Sequence, residues 1–491
     1  MGDSVKAIAG LALAYFAPVL AGMTTSIWAY GAVLVGATLV GASVVGSAMM
    51  PDFDDIGGVE SYSGMKLQTQ KSNTNAVPQV YGKHRLAGNI IYQTTNTAIT
   101  NNNADHGYNR DYWSIVSLAG HAINNITNIY ANEDTMDYIG TQRYKKTYTH
   151  VHWYSASLTA TNIQSIEFVT DTSGSESTGA TLGLDSVSIP ADVSYLAIHE
   201  VFDGQQSKNT QLTNITVEIE GKKIRDIVSS TNITSGVSYS NNPALIVFDI
   251  LTTGLNIADA DIDIATFYQA KQDCVSNGWT CNIALVQQAN IQSIIQDILA
   301  TCRGQIVHSD SKWKLKIDTK SQTSVATLTD DDFINDSLTI SMKGNREIAN
   351  KIIVKYINPT DNWLSAQAVK EDTDLQSLDG QTIEKVLDIK GITNQTQAEE
   401  MAEITLNTMR YSEDASGNRV KQTPLALSFS TTVKNADLEV GDIISITHNV
   451  LDRTRKFMIL SLETDQSGII QVVTREYAET HYKNSSGTYL I

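Results

Sequence analysis

The chain has 491 residues, with 35 Lys and Arg against 53 Asp and Glu and a formal net charge of -18. That balance excludes a protein whose task is to grip a nucleic-acid backbone, because such binding needs basic surface. Three cysteines, Cys274, Cys281 and Cys302, exclude a disulfide framework, since an odd count leaves at least one thiol unpaired.

The length leaves room for about three or four domains. No charged side chain occurs from Ala7 to Pro51, and the stretch divides into AIAGLALAYFAPVLAG and IWAYGAVLVGATLVGASVVGSAMM. The second is long enough to cross a hydrocarbon core as a helix, which takes about 17–25 residues, and Pro18 interrupts the first. Gly31, Gly36, Gly41 and Gly46 recur at a spacing that allows helices to approach closely. Four readings stay open. A signal peptide is opposed by MGDSVK, which has no net positive charge. A transmembrane hairpin is opposed by Asp52, Asp54 and Asp55, which stand where a basic flank would set topology. A flexible tail would expose much apolar surface to water. A helical plug hidden inside an oligomer would not.

From Val77 the pattern turns to strands. VPQVYGKHRLAGNIIY reads as strand, turn and strand, and GHAINNITNIYANE as two short strands about a turn. KKTYTHVHWYSAS alternates, placing Tyr148, His150, His152 and Tyr154 on one face. TNITVEIEGKKI predicts a strand through Ile215, Val217 and Ile219, with Gly221 beginning a turn. Two helices follow: one capped by Asp263 with Ile264, Phe267, Ala270 and Cys274 on its apolar face, and one capped by Asn290 and ended by Gly304. The second carries Ile291, Ile294, Ile295, Ile298, Leu299 and Cys302 at helical spacing. KWKLKID predicts a half-exposed strand, NKIIVKYIN a buried one, and Thr396 with Glu399 a capping box opening another helix. PLALSFS, LEVGDIISITH, RKFMILSLE and GIIQVVTRE are four strands spaced for a small barrel or curled sheet.

Site chemistry is sparse. The cysteine spacings match no zinc or iron–sulfur pattern, and Cys302 on an apolar helix face reads as a buried inert thiol. His150 and His152 lack a nameable third ligand. Asp330, Asp331 and Asp332 lack the offsets of a calcium loop and read as a solvated turn. Metal binding is therefore left unknown, no cofactor is expected, and no catalytic residue can be assigned. There is no nucleophile elbow, phosphate loop or His-Glu metalloprotease helix.

The ordered landmarks resemble the tail hub or tip-attachment proteins of long-tailed bacteriophages, related to the N-terminal half of the lambda-type host-specificity protein. The similarity rests on VPQVYGKHRLAGNIIY with Pro78, Tyr81, Gly82 and Gly88, and on SYLAIHEVFDG and ITVEIEGKKIRD. It continues through NNPALIVFDILTTGLNI with Asn242 and Pro243, ILATCRGQIVHSDSKWKLKI with Gly304 and Trp313, and LEVGDIISITH with Gly441 and Asp442. The resemblance implies a mainly β protein with α+β subdomains, multidomain tail-hub architecture, small barrel-like domains and an apolar helical N-terminal segment.

The expected divisions are an apolar segment and acidic linker over 1–55, a first β domain from 56–95 with 190–240, and an inserted peripheral β domain over 96–189. An α+β domain over 241–330, a peripheral α+β domain over 331–425 and C-terminal strands over 426–491 complete them. The expected role is a homotrimeric, non-enzymatic hub at the distal end of the virion tail, closing the tube and taking part in DNA exit. Its implied partners are a distal tail or tail tube protein, the C-terminal end of the tape-measure protein, a separate central fibre or spike, DNA passing without specific binding, and the host membrane at ejection. The alternatives are a membrane-anchored surface or adhesion protein and, less favoured, a secreted cell-wall-degrading enzyme.

Overall fold

The computed structural model describes residues 70–71, 77–96, 110–146, 149–169, 175–202, 213–286, 289–320, 322–334, 337–342, 348–464 and 467–483. The apolar stretch of residues 7–50, with Ala7, Pro18, Gly31, Gly36, Gly41 and Gly46, lies outside them. Among the described residues no helix is long and apolar enough to cross a membrane.

The centre of the molecule is helical. Helix α1, Pro243–Asp249, starts where the Asn242 side chain accepts the Ala244 and Leu245 N–H groups, with Pro243 at a position that has no N–H to satisfy. Every residue of α1 is buried. Helix α2, Ile264–Asn277, is capped by Asp263 as its sequence predicts and stops at Gly278, whose φ of +69° is the left-handed conformation glycine adopts freely. Helix α3, Ile291–Ala300, is capped by Asn290. These helices share one apolar core with the hairpin Gly304–Ser309/Lys312–Ile317 and with residues from Tyr81 to Tyr482.

Two sheets lie N-terminal to this core in sequence. A seven-stranded sheet runs Gln70–Lys71, Asn89–Asn96, Arg110–Ala119, Ser194–Phe202, Thr149–Tyr154, Arg143–Lys146 and Asp137–Gly140. The second is organised by the 15-residue strand Ile215–Ser229, which pairs with Lys83–Ala87 and Ile123–Ala131 along its first half and with Asn232–Tyr239 along its second. Two more sheets follow α3. Leu364–Glu371, Lys351–Asn358 and Glu384–Asp388 form a three-stranded sheet. Helix α4, Thr373–Asp379, lies in its connection, and α5, Gln395–Arg410, packs on the sheet. The last sheet has six strands, in the order Ser324–Leu328, Ile443–Ile446, Arg455–Thr464, Ile470–Glu476, Leu425–Thr431 and Thr339–Met342.

That six-stranded sheet corrects the barrel expectation. All four predicted C-terminal strands form, but the sheet gains an outer strand at each end, and those two strands do not pair with each other. No sheet among the described residues closes on itself, and the fold is mixed α/β with open, largely antiparallel sheets. Local boundaries also differ. Gly221 lies inside a strand, where a Cβ would stand 2.2 Å from the Val80 carbonyl oxygen, so close backbone approach and not a turn explains the glycine. Residues 123–131 form one strand whose turn is Asn132-Glu133, both at positive φ. Helix α3 ends at Ala300 and Gly304 opens the next strand; Asn394, not Thr396, caps α5.

All three cysteines are free and buried. Ile298 is fully buried in the central core beside Ile295, Leu299 and Cys302. Ile298→Ala should cost about 2–5 kcal/mol in equilibrium unfolding, as large-to-small core changes do. Cys302 should stay unlabelled by thiol reagents in the folded protein; rapid labelling together with an unchanged unfolding midpoint for Ile298→Ala would contradict this core.

Candidate functional site

The ten motif residues from Pro78 to Asp442 fall mostly where separate sheets and helices meet. Tyr81 donates its hydroxyl to Asp249 Oδ2 on α1 at 2.8 Å, and Lys222 reaches the same oxygen at 2.6 Å from the long strand. Gly82, at φ +69°, leaves room for Asn282, whose Oδ1 would lie 2.3 Å from an added Cβ. Asn282 uses that space: its Oδ1 accepts from the Lys83 N–H at 2.8 Å and its Nδ2 donates to Thr393 Oγ1 at 2.7 Å. One asparagine thus ties the first strands to the turn before α5. The Pro78 carbonyl accepts from the Gly120 N–H, and a Cβ at Gly88 would stand 2.3 Å from the Ser117 carbonyl oxygen.

The KWKLKI and LEVGD motifs meet each other. Lys316 pairs with Asp442 at 2.6 Å and with Glu439 at 2.8 Å, and Lys314 bonds Glu439 at 2.5 Å. Gly441, at φ +85°, would bring a Cβ to 3.0 Å from the Lys316 stem. Lys314 and Lys316, on the half-exposed face of this strand, join the hairpin to the six-stranded sheet. Burial alone would raise the Glu439 carboxyl, but hydrogen bonds from Lys314, Lys316 and Ser309 outweigh it and hold the group at about 2. Trp313 is buried against His308, and its carbonyl accepts from the Asp263 N–H at the start of α2. A Cβ at Gly304 would meet Leu299 at 2.7 Å.

A further joint escapes sequence reasoning. Residues 358–364 turn tightly, with Asn362 and Trp363 at positive φ (49° and 62°), and deliver Trp363 into the second sheet. Its Nε1–H donates to Glu218 Oε1 at 3.0 Å, and its ring lies 5.2 Å from that of His84. Glu218 also accepts from Tyr130 at 2.6 Å and Asn128 at 3.0 Å, and pairs with Lys83 at 3.1 Å. Burial would raise this carboxyl, yet the donors outweigh it and hold it at about 2. His84 is pushed down to about 4 by burial, partly offset by its hydrogen bond to the Arg85 carbonyl. Nothing in the NPTDNWLS spacing signals that its tryptophan is buried by another sheet.

The residues weighed as metal ligands do not converge on a metal. His150 and His199 are stacked 5.9 Å apart, and Trp113 lies 3.8 Å from His199 on the same sheet. His199 Nε2 meets Asp111 at 3.0 Å and His152 Nδ1 meets Glu176 at 2.6 Å. Asp332 is buried, not solvated: it accepts from the Thr329 N–H and pairs with Lys434 at 2.6 Å. Among the described residues no three His, Cys, Asp or Glu side chains form a group able to hold a metal.

Parts of the chain are similar to known proteins. Residues 290–462 match the family model described as a putative phage tail protein. The matched stretch contains α3, the KWKLKI hairpin, the Trp363 turn and most of the six-stranded sheet. In fold the chain is similar to a chain of the virion of a native gene transfer agent particle, at 14% identity and TM-score 0.55, covering 93% of this chain and 98% of that one. It also aligns with a tail protein from Neisseria meningitidis MC58 (8% identity, TM-score 0.29, 73% and 97% covered). A third alignment is to the prophage tail protein gp18 from Listeria monocytogenes EGD-e (10%, 0.27, 79% and 88%). A search of curated proteins finds no match.

Two outcomes test the joints. Trp363→Ala should destabilise the protein by about 3–5 kcal/mol, the cost of emptying a buried aromatic site. Glu218 has a folded value depressed below its unfolded one of about 4.3. Its contribution is therefore fully present above that value and lost as pH falls through about 2. Glu218→Gln should flatten the decline in stability between these limits, measured by denaturant unfolding at each pH. An unchanged acid limb would show that the Trp363 joint does not depend on the carboxylate.

Proposed function

We propose that the protein is the structural hub of a tail tip or baseplate, a homotrimer that closes the tail tube and links it to distal proteins. The observation that carries this reading is the end-to-end likeness of fold to a virion chain of a gene transfer agent particle, spanning 93% of this chain. The joints support it physically. A hub must pass force between tube and distal parts without its sheets shearing apart, and here the sheets are fastened by buried charged and aromatic contacts.

In this reading three copies surround the tail axis, bound above by the tail tube or distal tail protein. The end of the tape-measure protein reaches them from inside, and a separate fibre or spike is held below. The surplus of 18 negative charges would let DNA slide past without adhering. The uncharged segment from Ala7, with Pro18 and the glycines Gly31 to Gly46, would gather on the axis as a plug shielded by its copies, and would meet the host membrane on ejection. The host contact that opens the tube would shift a closed trimer toward an open one.

Cryo-electron microscopy of intact particles tests this directly. Three copies at the distal end of the tail, with density for residues 7–50 in the axial lumen, are expected. A two-fold arrangement, or a position along the shaft or at the head, would end the hub reading, and a leader absent from the mature chain by intact mass would end the plug alone.

A further inference from the structure

Between the central core and the six-stranded sheet lies a buried charge cluster that does not balance. Arg303 and Arg475 both donate through Nη2 to Asp318 Oδ2, the second at 2.6 Å, and the Tyr482 hydroxyl donates to the other oxygen. All four side chains are buried. The two guanidinium charges and one carboxylate charge leave one positive charge in excess.

The surroundings do not cancel it. Asp318, Arg303 and Arg475 act on neighbouring Tyr482 and His481, and Glu479, which acts on adjacent Tyr477, is itself paired with Lys456 at 3.1 Å. Glu476, the adjacent buried acid, is committed to Arg455 at 2.6 Å and to Ser412. His481 adds no compensation, because burial holds it neutral, near 3, while its Nε2–H donates to the Tyr411 carbonyl at 2.7 Å. Arg475 Nη1 and Arg303 Nε are buried and meet no protein acceptor. A guanidinium can only donate and does not release its proton, so the imbalance cannot be removed by titration. An uncompensated buried charge is strongly unfavourable.

We propose that a small monovalent inorganic anion, chloride under ordinary conditions, completes this cluster by accepting from the unused Arg475 and Arg303 N–H groups. The site lies beside a contact between the KWKLKI hairpin and the six-stranded sheet, so the anion would act as a structural ligand of that junction. Water in the same place would satisfy the donors but would leave the charge.

The test uses the full chain crystallised from bromide, with diffraction collected at the bromine edge. An anomalous peak within hydrogen-bond distance of Arg475 Nη1 or Arg303 Nε is the expected result. Thermal unfolding in sodium chloride should exceed that in sodium gluconate of equal ionic strength by a few degrees, roughly 2–4 °C, in a manner that saturates with chloride. Arg475→Gln should abolish that difference; if this variant does not fold, the bromide peak in the natural chain still decides. Density without an anomalous signal, as for water, together with equal midpoints in the two salts, would overturn the site.

Discussion

Carboxylates taken out of water have to be met by donors, and in this protein those donors come from distant parts of the chain. Glu218 in the second sheet is met by Trp363 from the three-stranded sheet, Asp249 on α1 by Tyr81 and Lys222, and Glu439 by two lysines of the hairpin. Each such carboxylate is stable only while its partners stay in place. The arrangement therefore makes relative movement of the sheets costly at several independent points. Apolar packing supplies most of the cohesion, since one core extends from Tyr81 to Tyr482, but it is not directional. The buried polar joints set which surfaces meet and in what orientation.

Glycine has a specific part in this. Gly82 and Gly441 sit at positive φ beside Asn282 and Lys316, the residues that bridge to other elements. A side chain at either place would be strained and would push the bridging group away. These positions belong to the motifs that carry the family resemblance. Their chemistry is that of close approach.

Much of this was legible in the sequence. The Asp263 and Asn290 caps, the apolar faces of α2 and α3, and the four C-terminal strands follow from short-range periodicity and local hydrogen bonding, which the sequence encodes directly. The barrel did not follow, because Ser324–Leu328 and Thr339–Met342 extend the sheet at its two edges by pairing with strands far along the chain, and no local pattern reports that. The half-exposed strand was legible in the alternation of Trp313, Leu315 and Ile317 with the lysines, but not the acids of the LEVGD turn that meet Lys314 and Lys316. Trp363 gave no signal, since its turn is polar and its partners, His84 and Glu218, lie more than a hundred residues away.

The central claim is that the Trp363–Glu218 contact couples the three-stranded sheet to the second sheet as one mechanical unit. Amide hydrogen exchange on the natural chain and on Trp363→Phe, which keeps most of the ring but removes the donor, tests it most directly. Faster exchange in both Lys351–Asn358 and the 215–222 part of the long strand, far apart in sequence, is the predicted result. Faster exchange confined to residues 358–364, with the second sheet unchanged, would contradict the account.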